Sequence, residues 1–300
     1  MAGRREQPRP APYFPLPPGL PDARQAARTV FDRIAGLYDA ARPGYPASAI
    51  DELVERCGID RTAAVLEVGC GTGQLTRSLA PLGFRIRALE PGTALAGRAR
   101  AVLAGFPNVE LATSTFEDAE ERPSCYDLVV SATAFHWIDP SISFAKAARL
   151  LRPAGHLALL TNAHGAGGSQ KRISVAVRDL HRRLAPEVGT WEFPAVEELE
   201  HAARGGGDIA AVWHRVERKF ETPPVVDALF ADPSVSVHPW TATYDRQGYL
   251  AMLGSQSSYA LMDEARRTRL LGEIGELVDR DLGGIVTKQY VTVLAVAERR

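Results

Sequence analysis

Val65-Leu66-Glu67-Val68-Gly69-Cys70-Gly71-Thr72-Gly73-Gln74 is the stretch that decides the fold. Ala63 to Val68 reads as a buried strand, Gln74 to Leu82 has helical apolar spacing, and three glycines fill the short turn between them. Without Cβ atoms a backbone accepts positive φ and lets a ligand press against it, while free N–H groups at the helix start point at that ligand. This turn is therefore a binding turn. A dinucleotide-binding loop has the spacing G-x-G-x-x-G, and the place of its third glycine is held here by Gln74. Glu67, two residues before the first glycine, repels a pyrophosphate and suits an ammonium group.

Working outward, strand and helix patterns alternate. Arg85 to Leu89, Val109 to Ala112, Leu128 to Ser131 and Gly155 to Thr161 read as strands, with helices over Thr93 to Ala104 and Ile142 to Leu151. Short connections between such elements imply a doubly wound α/β fold, its mostly parallel sheet covered on both faces. Upstream, Ala26 to Tyr38 and Ala49 to Cys57 have helical spacing, separated by a bend at Pro43 and Pro46. Downstream, Ile173 to Leu184 is basic and amphipathic, and Val212 to Phe220 and Tyr290 to Val296 read as the sixth and seventh strands. Trp240 to Leu253 and Leu261 to Val278 read as helices. Residues 1–24 hold seven prolines and read as a tail, so the expectation is one domain over 25–300. Its cap is built from the N-terminal helices and from helical insertions in about 163–211 and 240–282.

Composition narrows the function. With 35 Lys plus Arg against 36 Asp plus Glu, no chain-wide field attracts nucleic acid or anionic lipid. No run of about 18 apolar residues offers a membrane span, and Arg4 and Arg5 have no apolar stretch behind them. Cys57, Cys70 and Cys125 form no CxxC and no metal-ligand spacing, which points to a reduced, cytoplasmic setting without a metal.

Glu67-Val68-Gly69-Cys70-Gly71-Thr72-Gly73 resembles the first motif of the class I methyltransferases, an acid followed by G-x-G-x-G. The resemblance implies that the loop, with Gln74 at its helical end, wraps the amino acid half of S-adenosylmethionine and that Glu67 acts near the methionine ammonium. Glu90 lies 17 residues past Gly73, where an acid reaches a ribose, and Glu90-Pro91 matches the family's ribose-binding position. Ser114-Thr115-Phe116-Glu117-Asp118 resembles the adenine-binding turn, with Phe116 covering the ring and Thr115 and Glu117 beside it. The fourth strand delivers Ser131 and Ala132 to the same site. These motifs span about residues 63 to 161.

Ligands of open α/β sheets lie beyond the carboxyl ends of the strands, so the loop Ser131 to Asp139 faces cofactor and acceptor. His136 on that loop is the candidate general base, and Trp137 adjoins it. Ala134-Phe135-His136-Trp137 resembles the trans-aconitate type of small-molecule methyltransferase. In that subgroup a segment similar to Phe31-Asp32-Arg33 through Tyr38, Arg42 and Tyr45 lids the cofactor, which implies that Tyr38 and Arg42 approach the methionine end. Tyr45, His136, Trp137 and Tyr259 are the candidate acceptor contacts, and Trp191, Trp213, Trp240, Tyr244 and Tyr249 add aromatic area to the cap. The expected reaction moves a methyl group from S-adenosylmethionine to O, C or N of a small metabolite, a natural product among the candidates. A homo-oligomer is compatible with the tail. Two other readings stay open: a non-catalytic S-adenosylmethionine-binding or partner subunit, and a nicotinamide-dependent oxidoreductase.

Overall fold

The computed structural model describes Asp32 and residues 42–186, 194–212, 226–260 and 262–300. The tail, the helix expected over Ala26 to Tyr38 apart from helical Asp32, and Trp191 and Trp213 lie outside the described residues. After helix α1 (Ala47–Cys57), the chain runs through strand β1 (Ala64–Val68), helix α2 (Thr76–Leu79), β2 (Arg85–Leu89), α3 (Thr93–Leu103), β3 (Val109–Ala112), β4 (Tyr126–Ala132) and α4 (Pro140–Leu150). It continues with β5 (Leu151–His164), α5 (Ser174–Leu184), α6 (Val196–Ala203), α7 (Val226–Leu229), β6 (Ser234–Asp245), α8 (Arg246–Gly254), α9 (Ser257–Ala260), α10 (Glu264–Leu282) and β7 (Ile285–Glu298).

The seven strands form one sheet in the order β3-β2-β1-β4-β5-β7-β6. β1 pairs in parallel with β2 on one side and with β4 on the other, so successive crossovers run in opposite directions from β1. That switch point opens a crevice at the carboxyl ends of β1 and β4. β7 returns antiparallel beside β5, and β6 antiparallel beside β7. Two apolar cores cover the sheet: Leu66, Val129, Leu157 and Phe144 belong to one, and Val65, Leu128, Ala158 and Leu53 to the other. A third core, around Tyr249, Leu270, Ile274 and Val278, joins α5, α8 and α10 into a cap.

Two expectations fail in the C-terminal half. The sixth strand is Ser234–Asp245, whereas Val212 is helical with 209–211 and residues 213–220 lie outside the described residues. Residues 240–245 accordingly belong to the sheet, and the helix read from Trp240 begins only at Arg246. Pro239 sits in the middle of β6, a place open to proline because β6 is an edge strand with neighbours on one side.

Candidate functional site

The glycine turn hangs on the end of β2, since the Gly69 and Cys70 N–H groups donate to the Leu89 carbonyl at 2.9 and 3.0 Å. Gly69, Gly71 and Gly73 have φ of 72°, 60° and 91°, in the left-handed region that favours glycine. Gly69 is also sterically obliged: a Cβ there would lie 2.5 Å from the Cβ of Ala134. The turn after β1 and the loop after β4 thus touch backbone to side chain across the switch point. Glu90, the next residue after β2, is buried, and its carboxylate accepts from the Gly71 N–H at 2.9 Å and the Gly92 N–H at 2.8 Å. Acid and loop hold each other in place. Asp32 accepts from the Ala94 and Leu95 N–H groups at 2.6 and 3.2 Å, which caps α3 close to Glu90 and Pro91.

All five positions of β1 are buried, and Glu67 is the one carboxylate among them. Its Oε2 is buried and has no hydrogen-bond partner among the described residues. Burial, with the nearby charge of Glu90 adding to it, pushes the Glu67 carboxyl up to about 7. Thr76 hydrogen bonds oppose that rise only in part, and a buried carboxylate with one oxygen left unmatched is costly unless something cationic meets it.

These groups line one crevice with two lobes, which share Arg42, Gly69, Gly71, Ala132 and Thr133 as a common wall. The first lobe gathers Glu90, Pro91, Thr115, Phe116 and Glu117 with His136 and Trp137. Its turn is rigidly built: Lys146 donates to the Glu117 and Ala119 carbonyls at 2.9 and 2.7 Å and lies 5.3 Å from the Phe116 ring centre. The Thr115 hydroxyl donates to Asp118 at 2.7 Å, and a Glu117 carboxylate oxygen accepts from the Asp139 N–H at 3.1 Å, joining the turn to the start of α4. The His136 and Trp137 rings lie 4.6 Å apart.

The second lobe gathers Tyr45, Glu67 and Gln74 with Asn162, His164, Met252 and Tyr290. Gln74 donates to the Thr72 hydroxyl at 2.6 Å, and Arg42 donates to the Ser255 carbonyl of the cap at 3.0 Å. The Tyr45 and Thr133 hydroxyls are 3.2 Å apart. Thr133 has φ of 57°, a strained value for a β-branched residue, and stands where both lobes meet. Asn162 donates to the Gly44 carbonyl at 3.0 Å and accepts from the Thr292 hydroxyl at 2.5 Å, clamping the N-terminal segment onto β5 and β7.

Two expected site residues stand elsewhere. Ser131 is fully buried between strands, its hydroxyl donating to the Val68 carbonyl at 2.8 Å, and it lines neither lobe. Tyr259 is inside the cap core, its hydroxyl 2.8 Å from His181 Nε2. His181 Nδ1 lies 2.9 Å from the Val177 carbonyl and donates to it, so Nε2 is the acceptor for the tyrosine. Tyr38 lies outside the described residues. Trp240 and Tyr244 act one layer back, against Tyr290: the Trp240 ring stacks on it at 5.0 Å, and the two tyrosine hydroxyls are 3.0 Å apart. Sequence reasoning missed Thr133, Asn162, His164, Met252 and Tyr290. Asn162 and His164, polar residues that follow the apolar run Leu157 to Leu160, were the readable signal; Tyr290 enters only through the register that pairs it with His164.

Residues 66–159 match the methyltransferase domain family, so this stretch carries a methyltransferase domain. Among relatives, an uncharacterized methyltransferase of Mycobacterium tuberculosis is 35% identical over 132 residues, which are 44% of this chain and 51% of that protein. An uncharacterized methyltransferase-like protein of Schizosaccharomyces pombe is 29% identical over 172 residues, 57% of this chain and 66% of its own. The chain thus spans about half the length of the mycobacterial relative that it matches. A solved structure from Anaeromyxobacter dehalogenans, provisionally assigned as a type II methyltransferase, superimposes with a TM-score of 0.50 at 23% identity, covering 86% of this chain and 96% of its own, and shares the fold. The residues present fit the cofactor of this class: the Glu67 Oε2 is a buried acceptor without a hydrogen-bond partner among the described residues, and Gly69 and Gly71, in the left-handed region, line both lobes. Among the described residues, no helix is long and apolar enough to cross a membrane and no cluster of acids, histidines and cysteines could hold a metal ion.

Proposed function

We propose that this chain binds S-adenosylmethionine across the two lobes and transfers its methyl group to an oxygen, carbon or nitrogen of a small organic metabolite, a natural product being one such acceptor. The observation that carries this reading is the pair of buried acids, Glu67 and Glu90, at the ends of neighbouring strands on either side of a left-handed glycine turn. Glu67 meets the methionine ammonium, Glu90 the ribose hydroxyls, and Phe116 with Thr115 and Glu117 the adenine. Arg42, and Tyr38 from the N-terminal segment, hold the methionine end, in the manner of the trans-aconitate-type enzymes that the Ala134 to Trp137 stretch resembles. When bound, S-adenosylmethionine supplies a methyl group on a sulfonium, a reactive leaving group, so the chain's work is positioning and exclusion of water. Arg42, anchored to the cap through Ser255, closes one side of the crevice, and the strained Thr133 backbone fixes the shared wall. His136 and His164 are the imidazoles that reach the crevice and can take a proton from an acceptor.

Calorimetric titration of S-adenosylmethionine, S-adenosylhomocysteine and NADH tests the reading. Micromolar binding of the first two, weakened by about 1.5–3 kcal/mol in Glu90→Ala, is the expected result. NADH binding alone, or an unchanged affinity in Glu90→Ala, overturns it.

A further inference from the structure

The two imidazoles of the crevice stand in different lobes. His136 shares its lobe with Glu90 and Phe116, the groups that frame a nucleoside, and its ring lies against Trp137. His164 ends β5 in the other lobe, with its ring 5.3 Å from Tyr290 and with Tyr45 and Asn162 in the same wall. A nucleoside held by Glu90 and Phe116 therefore covers the His136 side, and an acceptor entering from the other side meets His164. Glu67 is the one carboxylate among the described residues of that second lobe. On the reading proposed above it is engaged by the methionine ammonium. With Arg42 holding the methionine end, the other polar groups of that wall are an imidazole, two amides, two phenols, a hydroxyl, a thiol and a thioether. A cationic amine would enter this lobe with no carboxylate beyond the engaged Glu67 to meet it, whereas a weakly acidic hydroxyl finds an imidazole to accept its proton.

We infer that the acceptor is a small, uncharged molecule with a weakly acidic hydroxyl, of the phenol or enol class, and that His164 rather than His136 takes its proton. The acceptor oxygen forms its bond to the methyl carbon as the sulfur–methyl bond breaks. The sulfur keeps that electron pair and becomes a neutral thioether, while the hydroxyl proton passes to the imidazole of His164, which later releases it to water. His136 forms part of the nucleoside wall.

The inference rests on the proposed cofactor reading, so the experiment begins by saturating the histidine-labelled chain with S-adenosylhomocysteine. Failure to saturate removes the cofactor reading itself. With the complex formed, ring signals assigned through His136→Asn and His164→Asn are followed by NMR while phenol, or benzylamine as its cationic counterpart, is added. S-adenosylhomocysteine is expected to shift His136. Phenol is then expected to shift His164 alone and to bind at least fivefold more weakly to His164→Asn, with benzylamine leaving both rings unmoved. A His136 response to phenol, no response of either ring, or a benzylamine shift at His164 as large as that from phenol overturns the inference.

Discussion

Glu67 occupies the fourth of five buried positions in β1, and its chemistry there differs from that of its neighbours. A carboxyl pushed from its ordinary 4.5 to about 7 by burial favours its neutral form in the folded chain. The stability belonging to that form is fully present below pH 4.5 and is lost as pH rises through about 7. At about 1.4 kcal/mol per pH unit, the loss is about 3 kcal/mol. Glu67→Gln keeps the shape without the charge, so it is expected to raise the urea midpoint of the ligand-free chain clearly at pH 8 and little at pH 5. The same variant is expected to weaken S-adenosylmethionine binding at pH 8, because in the proposed function the residue that destabilises the empty fold meets the ammonium. Equal shifts in midpoint at both pH values would remove the buried charge as the cause.

At the scale of elements, the turn after β1 and the loop after β4 approach so closely that only a glycine fits between them. Gly69→Ala places a methyl 2.5 Å from Ala134 and forces a non-glycine residue into φ of 72°. The two costs separate in a double variant. Gly69→Ala is expected to lose about 2–4 kcal/mol from the steric and backbone terms together. Ala134→Gly in the same chain is expected to restore the steric part and leave about 1–2 kcal/mol of backbone strain. Chemical denaturation of the parent chain and both variants measures this, and a double variant no more stable than Gly69→Ala would show that the contact with Ala134 is not limiting. This junction also marks how far the sequence could be read. The βαβ run from Ala64 to Ala132 was legible because strand burial, helical spacing and the glycine turn agree locally, and with it came Glu67, Glu90, Phe116 and the turn. Ser131 was misplaced because side chains of a strand alternate between faces, and the face that its hydroxyl takes depends on the pairing with β1, where it meets the Val68 carbonyl. β6 escaped because Pro239 interrupts it and its partner lies far along the chain; only the edge position explains why proline is tolerated. Tyr290 and His164 became neighbours through the β5–β7 register, which no local pattern sets.

Over the whole molecule, the crevice is shared between two packed bodies of unlike construction. The first lobe is built by the carboxyl ends of β1, β2 and β4 and the turns that follow them, with the turn at 114–117 after β3, all supported by the two sheet cores. The second also uses Met252 from α8, and the carbonyl that anchors Arg42 belongs to Ser255, so part of its wall depends on the separate core of the cap. Leu270, on α10, is fully buried in that core. Truncating it to alanine removes about 2–5 kcal/mol of packing. If the cap opens as its own cooperative unit, amide exchange over 246–282 is expected to accelerate by about one to three orders of magnitude in Leu270→Ala while amides of β1 and β4 keep their rates. S-adenosylhomocysteine should then still bind through the sheet-borne groups of both lobes with less than a tenfold loss, since Glu67, Glu90 and the glycine turn are untouched. Acceleration spread evenly over β1, β4 and the cap would instead mean that sheet and cap open together, because α10 runs through Gly283 and Gly284 directly into β7 at the centre of the C-terminal sheet half. In that case acceptor access could not change without loosening the cofactor, and the two lobes would act as one.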